Sequence, residues 1–146
     1  MILLHEEELR HFLDTWRRAR AAGVHLPETS DPDYASYECL LVHVLGCARG
    51  YMLWMCEKLG LPQPDIRPTP APDAIEVAAA EQLELVCAGW RAPLREVPRE
   101  RFSEVYESRW SVPYCIDAML EHAVMHPIRH THQLETLMES GDRHET

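Results

Sequence analysis

The sequence predicts an all-α protein folded as a four-helix bundle. Two observations favour this fold. Several segments carry apolar residues at the three- and four-residue spacing of a helix face, and no segment has the apolar–polar alternation of a half-buried strand. The chain has 146 residues, the length of one ordinary domain with its own core. We therefore expect a single helical domain, residues 1–146.

The first helix is expected from about Glu6 to Ala22. Gly23 is a natural stop, because glycine readily adopts the left-handed conformation that ends many helices. The apolar face of this segment has helical spacing and consists of Leu9, Phe12, Leu13, Trp16 and Ala19. We expect this face to pack on the core.

The second helix is expected from Asp31-Pro32 to Leu59, with Gly60 closing it. An aspartate accepts the free amides at a helix start, and proline is tolerated at the first helical position. The segment is apolar on most of its faces. It should therefore be the most buried helix of the bundle.

A proline-rich linker, residues 61–72, follows and is long enough for a crossover. The third helix should begin at Asp73, because Asp73-Ala74-Ile75-Glu76 resembles a capping box, and should end or kink at Pro93. Residues 95–111 predict no definite element, and residues 100–107 suit either a short helix or a loop. The fourth helix is expected from Val112-Pro113 to Met138.

Composition excludes some classes of partner. The formal net charge is -10 at pH 7, so the chain lacks the cationic surface that nucleic acids and anionic membranes require. No apolar run approaches the roughly 20 residues that cross a bilayer, and the first residues do not form a signal peptide. We expect a cytoplasmic protein that binds neither nucleic acid nor membrane.

The five cysteines are odd in number and form no Cys-x-x-Cys motif, so a disulfide framework is not expected. They are expected to be reduced thiols packed as small apolar residues.

The fourth helix carries the histidines that indicate chemistry. Four of the nine histidines lie between residues 122 and 132. A step of three and four residues along this segment places His126 and His130 in the apolar seam that faces a bundle core. His122 lies beside the seam and His132 lies away from it. Because residues four apart share a helix face, the His126/His130 pair can bind one metal ion.

The second helix supplies a third histidine at the corresponding depth. His43 interrupts an otherwise apolar seam, about ten residues from the start of its helix, and the His126/His130 pair is about as far from the end of its own. The levels match if the two helices are antiparallel. Buried imidazoles need partners for their polar nitrogens, and one shared ion satisfies three at once. We predict a divalent-metal site on His43, His126 and His130.

Several neighbours are candidates for substrate binding or for supporting the ligands. Gln133 lies about one turn past His130, and a core amide bonded to the backbone is the alternative. Cys47, one turn from His43, is a candidate soft ligand. Tyr51, Trp54 and Trp110 are candidate pocket walls, although aromatic residues at helical spacing are also typical of a plain core.

The string His126-x3-His130-x2-Gln133, with His43 in a long second helix, resembles the DinB/YfiT-like superfamily over nearly the whole chain. The resemblance implies an up-down-down-up four-helix bundle with the proline-rich crossover between helices two and three. It implies that His43, His126 and His130 bind zinc or nickel, with iron or manganese as alternatives. It also implies homodimers and enzymes that use low-molecular-weight thiols.

Pro127 departs from this pattern, because many relatives have glutamate directly after the first histidine of the pair. A His-Glu-x-x-His hydrolase uses that glutamate as its general base. Pro127 is also expected to kink the helix beside the site, or else only to shape packing. The leading hypothesis is a metal-dependent transferase that activates a low-molecular-weight thiol for attack on a small-molecule substrate. A metal-dependent hydrolase and a non-catalytic metal-binding or dimerising bundle are the alternatives.

Overall fold

The computed structural model describes residues 1–142, excepting the side chain of residue 142. The predicted helical fold class is confirmed, because most of this part of the chain is helical and the remaining regular structure is one small sheet. In chain order the elements are α1 (Ile2–Ala21), a 3-10 helix (Pro32–Tyr34), α2 (Tyr37–Leu59), α3 (Pro72–Trp90), a second 3-10 helix (Arg99–Ser103), β1 (Val105–Glu107), β2 (Pro113–Cys115) and α4 (Ile116–Asp142).

Helix α1 begins four residues earlier than expected, at Ile2, and ends close to the expected glycine. The backbone N–H of its last cap, Ala22, bonds to Arg18. Gly23 then has a φ of 68°, the left-handed conformation that glycine adopts without strain. The predicted apolar face is buried in full: Leu9, Phe12, Leu13, Trp16 and Ala19.

The predicted start of the second helix at Asp31-Pro32 is wrong. Asp31 caps only the 3-10 helix Pro32–Tyr34, through a bond from the backbone N–H of Asp33. The chain then becomes extended at Ser36, whose hydroxyl accepts the backbone N–H of Cys39 and starts α2. Two N-capping side chains therefore divide what the sequence suggested was one helix. The end of α2 is as predicted, with Gly60 left-handed.

The proline-rich linker is present, but the predicted capping box of the third helix is wrong. Helix α3 has Ala71 as its N-cap, without a side-chain bond, and Pro72 at its first position. The carboxylate of Glu76 pairs with Arg20 of α1 instead of bonding back to the helix start. The helix ends at Trp90, three residues before Pro93.

A small antiparallel hairpin occupies the segment that the sequence left open. Strand β1 pairs with β2 in the register Val105–Cys115, Tyr106–Tyr114 and Glu107–Pro113. The expectation of a helix starting at Val112-Pro113 is wrong for this reason, since Pro113 lies in β2 and α4 starts at Ile116. Strands of three residues are too short to show a recognisable apolar–polar alternation in the sequence.

Helix α4 continues through Pro127 as far as Asp142. Pro127 removes the hydrogen bond that its own N–H would make within the helix, and the kink expected there stays a prediction. Helix α4 packs on α1 and α2, while α3 packs mainly on α2. Helix α2 therefore contacts both α3 and α4.

By length and composition α2 does reach the criterion for a membrane span, contrary to the expectation from the sequence. More than half of its most apolar window, 56%, is buried inside the protein. Its core residues include Leu41, Val44, Leu45 and Met55, each without exposed surface. A buried core helix meets the same criterion as a membrane span.

Candidate metal centre

Three imidazole rings from two helices converge between α2 and α4. One nitrogen from each of His43, His126 and His130 lies within 4.8 Å of the other two. The Nε2 atoms of His43 and His126 are 3.0 Å apart, and the ring centroids of His126 and His130 are 4.7 Å apart. We call these three residues the histidine triad.

The local sequence explains this convergence. His126 and His130 are four residues apart in α4, so they lie one above the other on the same face. His43 lies in α2 beside Val44, which is fully buried. Within the triad His130 is buried, and His43 and His126 are half-buried. The predicted ligands are therefore together, at the edge of the core.

The Nδ1 atom of His43 is held from outside the helix by Asp33. The carboxylate Oδ2 of Asp33 lies 3.0 Å from this nitrogen. Because a carboxylate only accepts, Nδ1 carries the hydrogen, and in the neutral ring the lone pair of Nε2 faces the triad. Metal-binding histidines commonly have this carboxylate–histidine arrangement.

The Nδ1 atom of His130 is held in a similar way by Gln133 and Tyr34. It lies 2.9 Å from the Gln133 carbonyl oxygen and 2.9 Å from the Tyr34 hydroxyl. The hydroxyl in turn donates to the same Gln133 oxygen. Both partners can accept the Nδ1 hydrogen, so Nε2 of His130 is also left as a lone pair.

Burial keeps the two α4 histidines of the triad neutral. It lowers the pKa of His126 to about 2, and the neighbouring imidazoles of His130 and His43 lower it further. Burial likewise lowers the pKa of His130 to about 4, with His43 as the next cause and the Gln133 bond opposing it. Neutral imidazoles have the free lone pairs that metal binding requires.

The spacing of one pair of donor nitrogens matches the spacing of two ligands on a shared divalent ion. At metal–nitrogen distances of about 2.0–2.1 Å, two ligands stand about 2.9 Å apart at a right angle and about 3.4 Å apart at a tetrahedral angle. The observed 3.0 Å between the Nε2 atoms of His43 and His126 lies inside this range. Three protein nitrogens leave at least one position open, as in catalytic rather than structural zinc sites.

Four of the other predicted site residues lie around one side of the triad. The thiol of Cys47 is 3.7 Å from Nδ1 of His43, on the nitrogen that faces Asp33 and not on the one that faces the triad. Cys47, Tyr51, Trp54 and Trp110 line a cavity of about 300 Å³, which we call the aromatic cavity. Burial raises the pKa of the Cys47 thiol, so it is protonated near neutral pH.

His122 extends the cluster along α4 toward this cavity. Its Nε2 lies 3.2 Å from the Tyr51 hydroxyl, and its ring lies 5.1 Å from that of Trp110. Burial lowers the pKa of His122, with Arg129 contributing. His132, by contrast, is exposed, as the sequence predicted.

A second cavity, of about 520 Å³, lies beside the hydrogen-bond partners of His130. Tyr34 and Gln133 line it together with Arg129 and His132. The predicted role of Gln133 is thus compatible with two contacts, the ring of His130 and this cavity.

Sequence reasoning missed Asp33 and Tyr34, and the reason is the misplaced start of α2. In one continuous helix, Asp33 would lie ten residues before His43, about 15 Å along the axis. The turn through Ala35 and Ser36 brings it back to that histidine instead. The sequence signal for this turn is Ser36, a second residue of a type that caps helix starts. Its side chain accepts the backbone N–H of Cys39, three residues later.

Comparisons with family models, with curated proteins and with solved structures find no match to this chain. The function proposed below therefore rests on the chain's own residues and on the resemblance that its histidine spacing carries.

Proposed function

We propose that this chain is a divalent-metal-binding protein of the DinB/YfiT-like kind that transfers a low-molecular-weight thiol to an electrophilic small molecule. The observation that carries the proposal is the convergence of three imidazole nitrogens within 4.8 Å of one another. Asp33 and Gln133 support two of these rings from behind. The ion, zinc or nickel, would be bound by His43, His126 and His130, and would supply Lewis acidity that lowers the pKa of a thiol.

The residues around the triad favour a thiol over water as nucleophile. Among the described residues, the metal-binding cluster consists of histidines alone, and Pro127 occupies the position after His126. Asp33, the nearby carboxylate, is bonded to Nδ1 of His43. An ordinary thiol has a pKa near 8.5, so a thiol bound to the ion would ionise near neutral pH without a general base.

The helix pairings support the up-down-down-up order as part of this proposal. Contacts between α2 and α4 run in reverse chain order, and so do those between α1 and α3. Both reversed pairs fit the up-down-down-up order and differ from a simple up-down-up-down bundle, in which α1 is parallel to α3 and α2 to α4. The contacts are His43–His126 and Tyr51–His122 for the first pair, and Glu6–Arg91 and Arg20–Glu76 for the second.

The test compares the metal-free protein with protein reloaded with zinc or nickel, using 2-mercaptoethanol and 1-chloro-2,4-dinitrobenzene. In this reaction the sulfur–carbon bond forms, chloride leaves with the carbon–chlorine pair, and the thiol proton goes to solvent. We expect one ion per chain and conjugation only by the reloaded protein. His126→Ala should abolish both, because it removes a nitrogen at the centre of the cluster.

His132→Ala is the matched control, since it deletes an exposed histidine from the same helix and should change neither result. Metal-dependent ester cleavage without thiol would replace the transferase by a hydrolase. Stoichiometric metal binding with neither reaction would contradict the enzyme and leave a metal-binding module. A cytoplasmic location and a homodimer stay predictions.

A further inference from the structure

The loop between β1 and β2 holds a guanidinium group over α2. Ser108 is buried, and its hydroxyl accepts the backbone N–H groups of Trp110 and Val112. Its own backbone N–H bonds to Val112, 2.9 Å away. Arg109 lies at the tip of this closed turn, so its backbone position is fixed by the hydrogen bonds on either side.

Helix α2 has a glycine where Arg109 approaches. A Cβ atom on Gly50 would lie 3.0 Å from Nη1 of Arg109, which is closer than nearly all side-chain contacts. The missing side chain therefore leaves the space that the guanidinium occupies. Both residues line the aromatic cavity, with Met119 of α4 completing the wall.

Arg109 has no carboxylate partner among the residues that the structure describes, although the chain carries 24 acidic residues. Other arginines in that part of the chain do, for example Arg67 with Glu81 at 2.8 Å and Arg91 with Glu6 at 2.7 Å. An unpaired guanidinium offers a planar pair of N–H donors that matches a carboxylate.

The aromatic cavity adjoins the histidine triad. Cys47 lines the cavity and contacts His43, and the ring of Tyr51 lies 5.8 Å from that of His126. Its volume of about 300 Å³ is at the lower end of small-molecule sites. Tyr51, Trp54 and Trp110 give it flat apolar walls, which suit an aromatic ring.

We propose that the aromatic cavity binds the electrophilic substrate, that this substrate is a small aromatic carboxylate, and that Arg109 determines its specificity by pairing with the carboxylate. The proposal rests on the proposed function, since it assigns the thiol to the triad and the electrophile to the neighbouring cavity. Arg109 acts on binding and takes no part in the transfer itself.

The binding test needs no turnover. Quenching of tryptophan fluorescence measures the affinity of the zinc-loaded protein for 4-nitrobenzoate and for its neutral methyl ester. We expect the wild type to prefer the acid by up to about fivefold, because the carboxylate alone can pair with the guanidinium and Arg109 is exposed to solvent. Arg109→Gln should remove this preference while leaving the affinity for the ester unchanged.

Two further variants separate this pairing from general effects. Arg129→Gln removes the same charge from the opposite cavity and should keep the preference for the acid. Gly50→Ala should fold at least as well, because alanine is the better helix former, but it displaces the guanidinium and should weaken acid binding. Equal binding of acid and ester by the wild type, or an unchanged preference in Arg109→Gln, would overturn the proposal.

The transferase assay distinguishes failure of the site from failure of the proposed function. With 4-chloro-3-nitrobenzoate as electrophile and 2-mercaptoethanol as thiol, Arg109→Gln should raise KM by up to about fivefold and leave kcat unchanged. A preference for the acid without conjugation would keep the binding site and reject the transferase. Conjugation with equal losses for acid and ester in Arg109→Gln would keep the transferase and reject the site. A dependence on Arg109 seen only with 3-mercaptopropionate as thiol would assign the carboxylate to the thiol and overturn the proposal.

Discussion

Replacing Asp33 tests how the candidate metal centre is oriented. Asp33 is not one of the proposed metal ligands. Its carboxylate lies 3.0 Å from Nδ1 of His43. Asp33→Ala removes the acceptor that fixes which nitrogen of His43 carries the hydrogen. The cap of the 3-10 helix should survive, because it uses the backbone N–H of Asp33 and the side chain of Asp31.

The expected loss of zinc affinity is about tenfold. Removing such a supporting residue typically costs 10- to 100-fold in metal affinity. The side chain of Asp33 is 44% exposed, so water can replace part of its hydrogen bond, and the lower end applies. Tenfold corresponds to about 1.4 kcal/mol of binding free energy. Asp33→Asn keeps an acceptor oxygen and should lose less than Asp33→Ala.

The assay is competition for zinc with a chromophoric chelator at neutral pH. Asp65→Ala is the control, because Asp65 is an exposed carboxylate in the linker and its loss should not alter the affinity. If Asp33→Ala binds zinc as tightly as the wild type, the Asp33–His43 contact does not orient a ligand, and this part of the site is refuted.

Two further predictions concern the core. His5 is 1% exposed and stacks on Trp90, and burial lowers its pKa to about 3 against the opposing charge of Glu6. The unfolded chain therefore binds the extra proton first as pH falls from about 6.5 to 3, so stability is lost over that range. His5→Phe should remove about 4 kcal/mol of this loss, as measured by urea unfolding at pH 7 and pH 3, and equal pH dependence in both proteins would contradict the assignment. Gly89→Ala should destabilise by about 1–3 kcal/mol, because its Cβ would overlap the buried side chain of Ile66. Gly46→Ala, whose Cβ would make an ordinary 3.6 Å contact with Thr69, should be neutral or stabilising, and equal melting temperatures for the two variants would refute the packing argument.

The sequence predicts the helices well because their apolar periodicity is long and strong. The face of α1 and the glycine ends at Gly23 and Gly60 follow from local chemistry, and the structure has them where they were expected. Boundaries failed where two signals competed. Asp31 and Ser36 are both good N-caps, and choosing the first merged a 3-10 helix with α2.

The same error explains what was missed at the site. Helical spacing alone identifies His126 and His130 as neighbours, and matching depth adds His43. Asp33 reaches His43 through a turn that no periodicity describes. Arg109 reaches the aromatic cavity from a hairpin of three-residue strands, which is too short to be recognised from the sequence. Contacts made by short irregular segments thus had to come from the three-dimensional structure.

The most direct measurement is X-ray absorption at the metal edge of the zinc-loaded protein, with His43→Ala beside it. Rings from α2 and α4 that share one ion should give three imidazole nitrogens at about 2.0–2.1 Å in the wild type and two in the variant. A wild-type spectrum dominated by sulfur, or the same number of imidazoles in both proteins, would contradict a centre built by these two helices.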